Sequence, residues 1–520
     1  MTVSYVRKIQ NGSIALFTSQ TVTAFIAIVT TPLLIRTLGL EMYGLYMAFL
    51  SFASVTGGVN LGMNSALVNK ISFLFAEKKY SDITKLISGF LLLYTIVLVL
   101  VLSLVVFLSK FGFINIRALL NAASFSSLPV LEIITIVLFT VLFNSFFGAV
   151  FPAFLTGINQ ISQLQKIVIG YSIFYNLFYI PFLLFLKPSI YELVLFQLCS
   201  DLFKFVVIFW FVHRSYSWLR VVLKFSYLKN ALKMVRSGIE YFLSFLAQSY
   251  WSKIDILIIS HFLGNALVSV YVITEKVFRF PSNLFSIASA AQPSFAQLYA
   301  AQKKSELSIL FIRVLRLHFI SKFVFISIFA VFFKEFVEIW IPYEKVFFSY
   351  GLVALFSIIF LSYAWGGPFV ICLNAMFKQR YLILSSVVGL IINVVLSLVL
   401  VNRMGLIGVV VATVVVHPFF FGIVSPYILR RFIDINPTFE YFRIVIRLIG
   451  PFLLFLVGYR LLVLFIAQTI LSIFFFFLLT SMYVYLVYRY SLIDEEQLFF
   501  QHKINNIMHR FKRIFINNTN

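Results

Sequence analysis

Residues 238–293 read GIEYFLSFLAQSYWSKIDILIISHFLGNALVSVYVITEKVFRFPSNLFSIASAAQP. Two long apolar segments meet at a short turn near Gly264-Asn265, yet they carry Glu240, Lys253, Asp255, Glu275, Lys276 and Arg279. At the centre of a membrane helix each such charge costs ~2.5–3.5 kcal/mol. A membrane segment that keeps several must turn them towards water, a partner charge or a ligand. In the first segment Ser237, Glu240, Ser244, Gln248, Trp251 and Asp255 follow one another at spacings of three or four. In the second, Glu275, Arg279, Ser282, Ser286, Ser289 and Pro293 do the same. Those spacings place each set on one helix face. The two faces are expected to form one wall of a wet, partly cationic cavity. The plainer alternative is a set of ion pairs closed within a helix bundle.

The rest of the chain supplies the membrane setting. Of 520 residues, 62% are hydrophobic and 11% charged, and the mean hydropathy is +1.01, which excludes a soluble domain. A net charge of +23 would suggest nucleic acid in a soluble protein. Here the basic residues fall in short loops between apolar runs, so no nucleic acid is expected. Cys199 and Cys372 both lie in apolar runs and give neither a disulfide framework nor metal spacing. The apolar run 12–35 is too long for a signal-peptide core and lacks a small-residue cleavage site, so it reads as a retained first span.

An all-α polytopic protein with about fourteen spans (twelve to fourteen) is expected. The spans fall roughly at 12–35, 43–69, 86–109, 131–156, 167–186, 190–213, 236–262, 267–300, 308–333, 346–376, 381–401, 405–429, 444–459 and 461–488. With the N-terminus in the cytoplasm, 28 of the 41 Lys and Arg lie on the cytoplasmic side, 8 outside and 5 within spans. The positive-inside rule then places both termini in the cytoplasm. A cysteine at Tyr343 should be labelled from outside and one at Ser226 should be protected; the reverse pattern would invert this orientation. The expected divisions are a six-helix lobe at 1–213, a basic amphipathic loop at 214–235, a second six-helix lobe at 236–431, two further helices at 432–490, and a basic tail at 491–520. The loop reads as an interfacial helix on an anionic leaflet.

The halves echo each other. TLGLEMYGLY at 37–46 follows span one, and HFLGNALVSVY at 261–271 follows span seven. Both are a helix end, a Leu-Gly turn and an aromatic restart. Parallel six-span repeats of this kind place substrate between the halves in transporters.

At these residues the chain resembles the polysaccharide (O-antigen type) flippases of the multidrug/oligosaccharidyl-lipid/polysaccharide exporter superfamily. The resemblance rests on PLLIRTLGLEMYGLY at 32–46 with Leu61-Gly62-Met63, on DILIISHFLGNALVSVY at 255–271, on QPSFAQL at 292–298, and on the Asn-rich stretch 373–413 with its Arg-x-Gly-x-x-Gly turn. It implies two six-helix lobes around a central cavity that alternates between the faces. It also implies an undecaprenyl-diphosphate-linked sugar as substrate, and association with polysaccharide assembly proteins.

Such a cargo needs an aqueous cavity with cations for its diphosphate, while its tail can stay in lipid. Arg binds phosphate with a bidentate fork, and Lys acts as a point charge. The substrate-binding candidates are therefore Arg279, Lys276 and Lys253, with Lys204 and Lys322 less well placed. Gln248, Trp251, Ser244, Asn393 and Asn64 are candidates for the neutral wall, with Trp251 stacking on sugar faces. Arg279 alternatively pairs with Glu275 at i, i+4, and Lys204 with Asp201. Asp255, Glu275 and Glu240 are candidates to hold a coupling H⁺ or Na⁺. No cofactor or metal is expected beyond that ion. Asp255 is expected to face Arg279 or Lys276 across the two helices. There is no P-loop and no HExxH, so an enzyme is not expected. A cation-coupled multidrug exporter is the nearest alternative function; a membrane polymerase or glycosyltransferase lacks the outer domain it would require.

Overall fold

The computed structural model describes residues 2–57, 63–111, 115–122, 128–222, 224–284, 287–342, 349–465 and 469–492, and the described chain contains helices and no strand. In chain order these are α1 (Thr2–Leu38), α2 (Leu40–Gly57), α3 (Met63–Ala76), α4 (Tyr80–Lys110), α5 (Ile116–Leu119), α6 (Val130–Gly157), α7 (Ile161–Pro181), α8 (Ile190–Ser215) and α9 (Phe225–Leu263). There follow α10 (Asn265–Leu284), α11 (Ile287–Ala300), α12 (Lys304–Val331), α13 (Phe333–Trp340), α14 (Tyr350–Ala375), α15 (Ile383–His417), α16 (Ser425–Leu429), α17 (Pro437–Phe465) and α18 (Thr469–Ser491).

Among the described residues, nine helical runs are long and apolar enough to cross a membrane, and the chain is a multi-pass membrane protein. This test does not fix the number of spans at fourteen. One run, 379–429, covers 51 residues. At 1.5 Å per residue it would be over twice the thickness of a bilayer core. It breaks at Gly405, which has φ 56° and ψ −137°. A Cβ built at Gly408 would lie 2.4 Å from the Leu400 carbonyl oxygen, so the limbs fold closely back at this turn. The charged helices α9 and α10 are absent from the nine. Their charges belong to an interior that hydropathy cannot see.

The basic stretch at 214–235 is not a separate helix. Residues 217–222 are non-helical, and α9 starts at Phe225 and continues into the seventh span. Val222 N–H donates to Ser88 Oγ at 3.1 Å, which fastens the linker to α4.

The two Leu-Gly turns share a left-handed glycine. Gly39 and Gly264 both have positive φ, 76° and 91°, a conformation that glycine adopts without Cβ strain. The helices they open, α2 and α10, pack on each other at this end. Ser269 Oγ donates to the Leu40 carbonyl, and Gly44 lies against the backbone of Asn265. The turn before α10 also docks on α5: Asn265 Nδ2 donates to the Leu120 and Asn121 carbonyls, each at 3.1 Å, and Ser260 Oγ donates to Leu120 O at 3.1 Å. Trp340 Nε1 donates to the Ile28 carbonyl at 2.7 Å, tying α13 to α1. The end of the molecule that the charge asymmetry assigns to the outside is thus clasped between the halves. One hydrophobic core runs from α2–α8 into α9, α10 and the first half of α14, and a second surrounds α11, α12, the second half of α14 and α17.

The clasp depends on Gly44. A Cβ there would stand 1.8 Å from the Asn265 carbonyl oxygen. Gly44→Ala is expected to lose about 1–3 kcal/mol through overpacking, read as a lower Tm of the purified protein. An unchanged Tm would mean that α2 and α10 separate freely.

Candidate functional site

Two polar clusters adjoin along one face of α10, where Tyr271, Glu275 and Arg279 recur every four residues.

The first is cationic. Arg279 Nη2 pairs with Glu275 Oε1 on the same helix, the i, i+4 arrangement open to it from sequence. The Glu275 side chain is 8% exposed and that of Arg279 47%, so the guanidinium keeps an accessible face. Lys276, on the neighbouring face, donates to Tyr43 Oη at 2.9 Å and Thr31 Oγ1 at 3.1 Å, and its ammonium lies 5.5 Å from the Tyr43 ring centre. This lysine therefore bridges the C-terminal half to α1 and α2. Lys253 of α9 is partly buried near Glu275, Arg279 and Lys276. Three basic groups share one carboxylate at the junction of the halves.

The second is built on Asp255, which is wholly buried. It does not face Arg279 or Lys276. Its Oδ2 accepts from Tyr271 Oη at 3.1 Å and from Thr413 Oγ1 at 2.9 Å, and Thr413 in turn accepts from Asn393 Nδ2 at 2.9 Å. The reversal at Gly405 brings Asn393 and Ser397 together with Thr413. Ser397 stands beside the same carboxylate without completing a hydrogen bond. Asp255 Oδ1, Asn393 Oδ1 and Ser397 Oγ are all buried and lack a hydrogen-bond partner. Such orphaned oxygens are costly, and three within one polar cluster require explanation.

Other candidates lie apart. Trp251 is 2% exposed and packed against His417 (ring centres 4.7 Å) and Tyr363 (6.0 Å), so it is a core aromatic rather than an open sugar platform. Glu240 is exposed near Arg380, outside both clusters, so the buried-carboxylate argument does not hold for it. Asn64, on α3, is half-buried, with its Oδ1 unpartnered. The side chains of Ser244 and Gln248 lie outside the described residues. Asp201 accepts from Gln197 Nε2 at 2.9 Å, and the Lys204 ammonium stands over the Tyr171 ring, 5.6 Å from its centre. Among the described residues no group of His, Cys, Asp and Glu could hold a metal.

Comparison with known proteins places this arrangement. Residues 9–299, more than half the chain, match the profile of a family described as polysaccharide biosynthesis protein. The chain belongs to that family. No curated protein sequence matches it. The fold is that of solved transporter structures. It aligns with a lipid II flippase MurJ in an inward closed conformation at TM-score 0.62 and 17% identity, covering 92% of this chain and 98% of that one. A Vibrio cholerae MATE transporter, VcmN, aligns at TM-score 0.57 and 14% identity, covering 82% and 97%. An outward-facing multidrug resistance MATE transporter of the MOP superfamily aligns at 0.55 and 15%, covering 82% and 94%. At these identities the likeness is one of fold.

Sequence reading missed Tyr271 and Thr413 as partners of Asp255. Tyr271 sits on the same i, i+4 face as Glu275 and could have been found from that spacing. Thr413 could not, because 158 residues separate it from Asp255.

Proposed function

We propose that this family member moves an anionic lipid-linked glycan, of the undecaprenyl-diphosphate class, from the cytoplasmic to the outer leaflet by alternating access between its halves. The observation that carries the reading is the grouping of Lys253, Lys276 and Arg279 around the single carboxylate of Glu275 where the halves meet. Diphosphate is stabilised by such a set, and Arg279 offers the fork-shaped donor. A cationic drug would meet a net positive wall, which argues against the multidrug reading. The family match and the transporter fold support the class of function. The charge asymmetry supports an inner-membrane orientation with cytoplasmic termini.

The Asp255 cluster suits the coupling ion. Its unpartnered Asp255 Oδ1, Asn393 Oδ1 and Ser397 Oγ fit a proton on the carboxylate or a Na⁺ held by oxygen ligands. Tyr271 connects this cluster to Glu275 and Arg279 one and two turns along α10. Ion occupancy would neutralise Asp255, and Tyr271 would carry the change to the α10 face that bears Glu275 and Arg279.

Complementation decides the class. Expressed in strains that lack their own flippase for a lipid-linked repeat unit, the protein is expected to restore surface glycan in at least one. Resistance to cationic dyes without any restored glycan would establish the drug-exporter reading instead.

A further inference from the structure

One groove lies away from the site. It holds 680 Å³ between α12, α14, α16, α17 and the π-helical turn Pro418–Val424. Every residue lining it comes from 319–445, so no part of the N-terminal half contributes and the groove is separate from the junction of the halves. Its walls are apolar and aromatic, among them Phe323, Ile358, Trp365 and Tyr441. Gly422 leaves room in one wall: a Cβ built there meets no atom within 4 Å. Arg430 lines the end that the charge asymmetry assigns to the cytoplasm, and the Arg431 guanidinium stacks 5.1 Å from the ring centre of Tyr427, another lining residue. Lys378 joins them over Phe432. Nearby acidic groups are Asp434 and Glu240, the latter close to Arg380. Glu440 is engaged by Arg316 at 3.7 Å and Arg443 at 3.9 Å.

We infer that this groove is a binding site for one anionic phospholipid of the inner leaflet, with its phosphate at Arg430 and Arg431 and an acyl chain lying along Phe323 and Ile358. An apolar slot that ends in a basic cluster at the cytoplasmic face matches both parts of that molecule, and the volume lies in the usual range for a small-molecule site. The slot continues towards the other face. A second groove of 370 Å³ shares Phe323, Ile358 and Leu361 with the first. This leaves space for the chain end. The lipid would sit where α17 joins the second lobe, filling the seam of that junction.

Trp365 provides the probe. The full-length protein is reconstituted with phosphatidylglycerol or phosphatidylcholine brominated in the acyl chains, and the Trp365 signal is isolated by difference from Trp365→Phe. Brominated phosphatidylglycerol is expected to quench Trp365 at a roughly 25-fold lower mole fraction than phosphatidylcholine, about fivefold for each of the two arginines. Arg430→Gln/Arg431→Gln should remove this preference and leave maximal quenching unchanged, while Arg403→Gln should not alter it. Gly422→Leu should weaken quenching by both lipids. Equal quenching of the wild type by the two lipids, or a preference surviving in the double variant, would overturn the assignment. So would displacement of the brominated lipid by undecaprenyl phosphate at substoichiometric amounts, which would give the groove to the carrier lipid. Each outcome is read without transport, so the result stands apart from the flippase proposal.

Discussion

Arg279→Gln is expected to lose most of the surface glycan at wild-type protein level, and Arg279→Lys to keep part of it. The guanidinium is only half committed: one nitrogen meets Glu275, and the side chain remains 47% exposed. A guanidinium carries five N–H donors, enough to hold the carboxylate and a phosphate oxygen together. Loss of a charge-assisted contact in a low-dielectric site costs on the order of 1.5–3 kcal/mol, tenfold or more in binding. Glutamine also leaves Glu275 buried without its partner, which could reduce the amount of folded protein. Arg279→Gln/Glu275→Gln removes that complication. If Arg279 meets the substrate, the double variant should regain protein level and still fail in transport, while Glu275→Gln alone transports. If the pair is only structural, the double variant should transport normally. The measurement is surface glycan normalised to protein in the membrane.

How far the sequence could reach is visible in the same residues. The Glu275–Arg279 face of segment eight was legible because charges in an apolar segment are expensive and helix spacing assigns them to faces, whereas on segment seven Glu240 and Trp251 lie apart from Asp255. The paired Leu-Gly turns were legible as repeats, since only a glycine passes through positive φ without strain, and Gly39 and Gly264 both do so. The direction of Asp255 did not follow from the helix rise. Asp255 points from α9 towards α15, whereas Lys276 points from α10 towards α1 and α2. Rotation about a helix axis is set by which neighbour packs against it, and one sequence does not contain that information. The stretch at Gly405 was read as a turn between two spans, but the meeting of Asn393, Ser397 and Thr413 across it depends on how closely the limbs fold back. Trp251 shows the opposite error: an aromatic on the polar stripe suggested a sugar platform, and packing on His417 and Tyr363 closed it off.

Asp255→Asn is expected to leave a folded, membrane-inserted protein that has lost its response to the coupling ion. Asparagine is nearly isosteric, and its side-chain oxygen can still accept from Tyr271 and Thr413, so the link from α9 to α10 and α15 is retained. What disappears is the charge. In the wild type, an ion that binds the folded state raises stability in proportion to the logarithm of its concentration above its Kd. Tm should therefore rise when Na⁺ replaces choline at constant ionic strength, or when pH falls if the ion is a proton. In Asp255→Asn the Tm should be flat in both series, and transport should fall to the level seen without an ion gradient. Ser397→Ala and Asn393→Ala test the ligand set. Each removes one orphaned oxygen, and for Na⁺ each should shift the ion response to higher concentration without abolishing it. For a proton, the two should alter the pH midpoint and leave the wild type indifferent to Na⁺. A purely structural cluster predicts the reverse of all this: no ion-dependent Tm in the wild type, and normal transport by the asparagine variant. The two accounts separate because the hydrogen bonds survive the substitution and the charge does not.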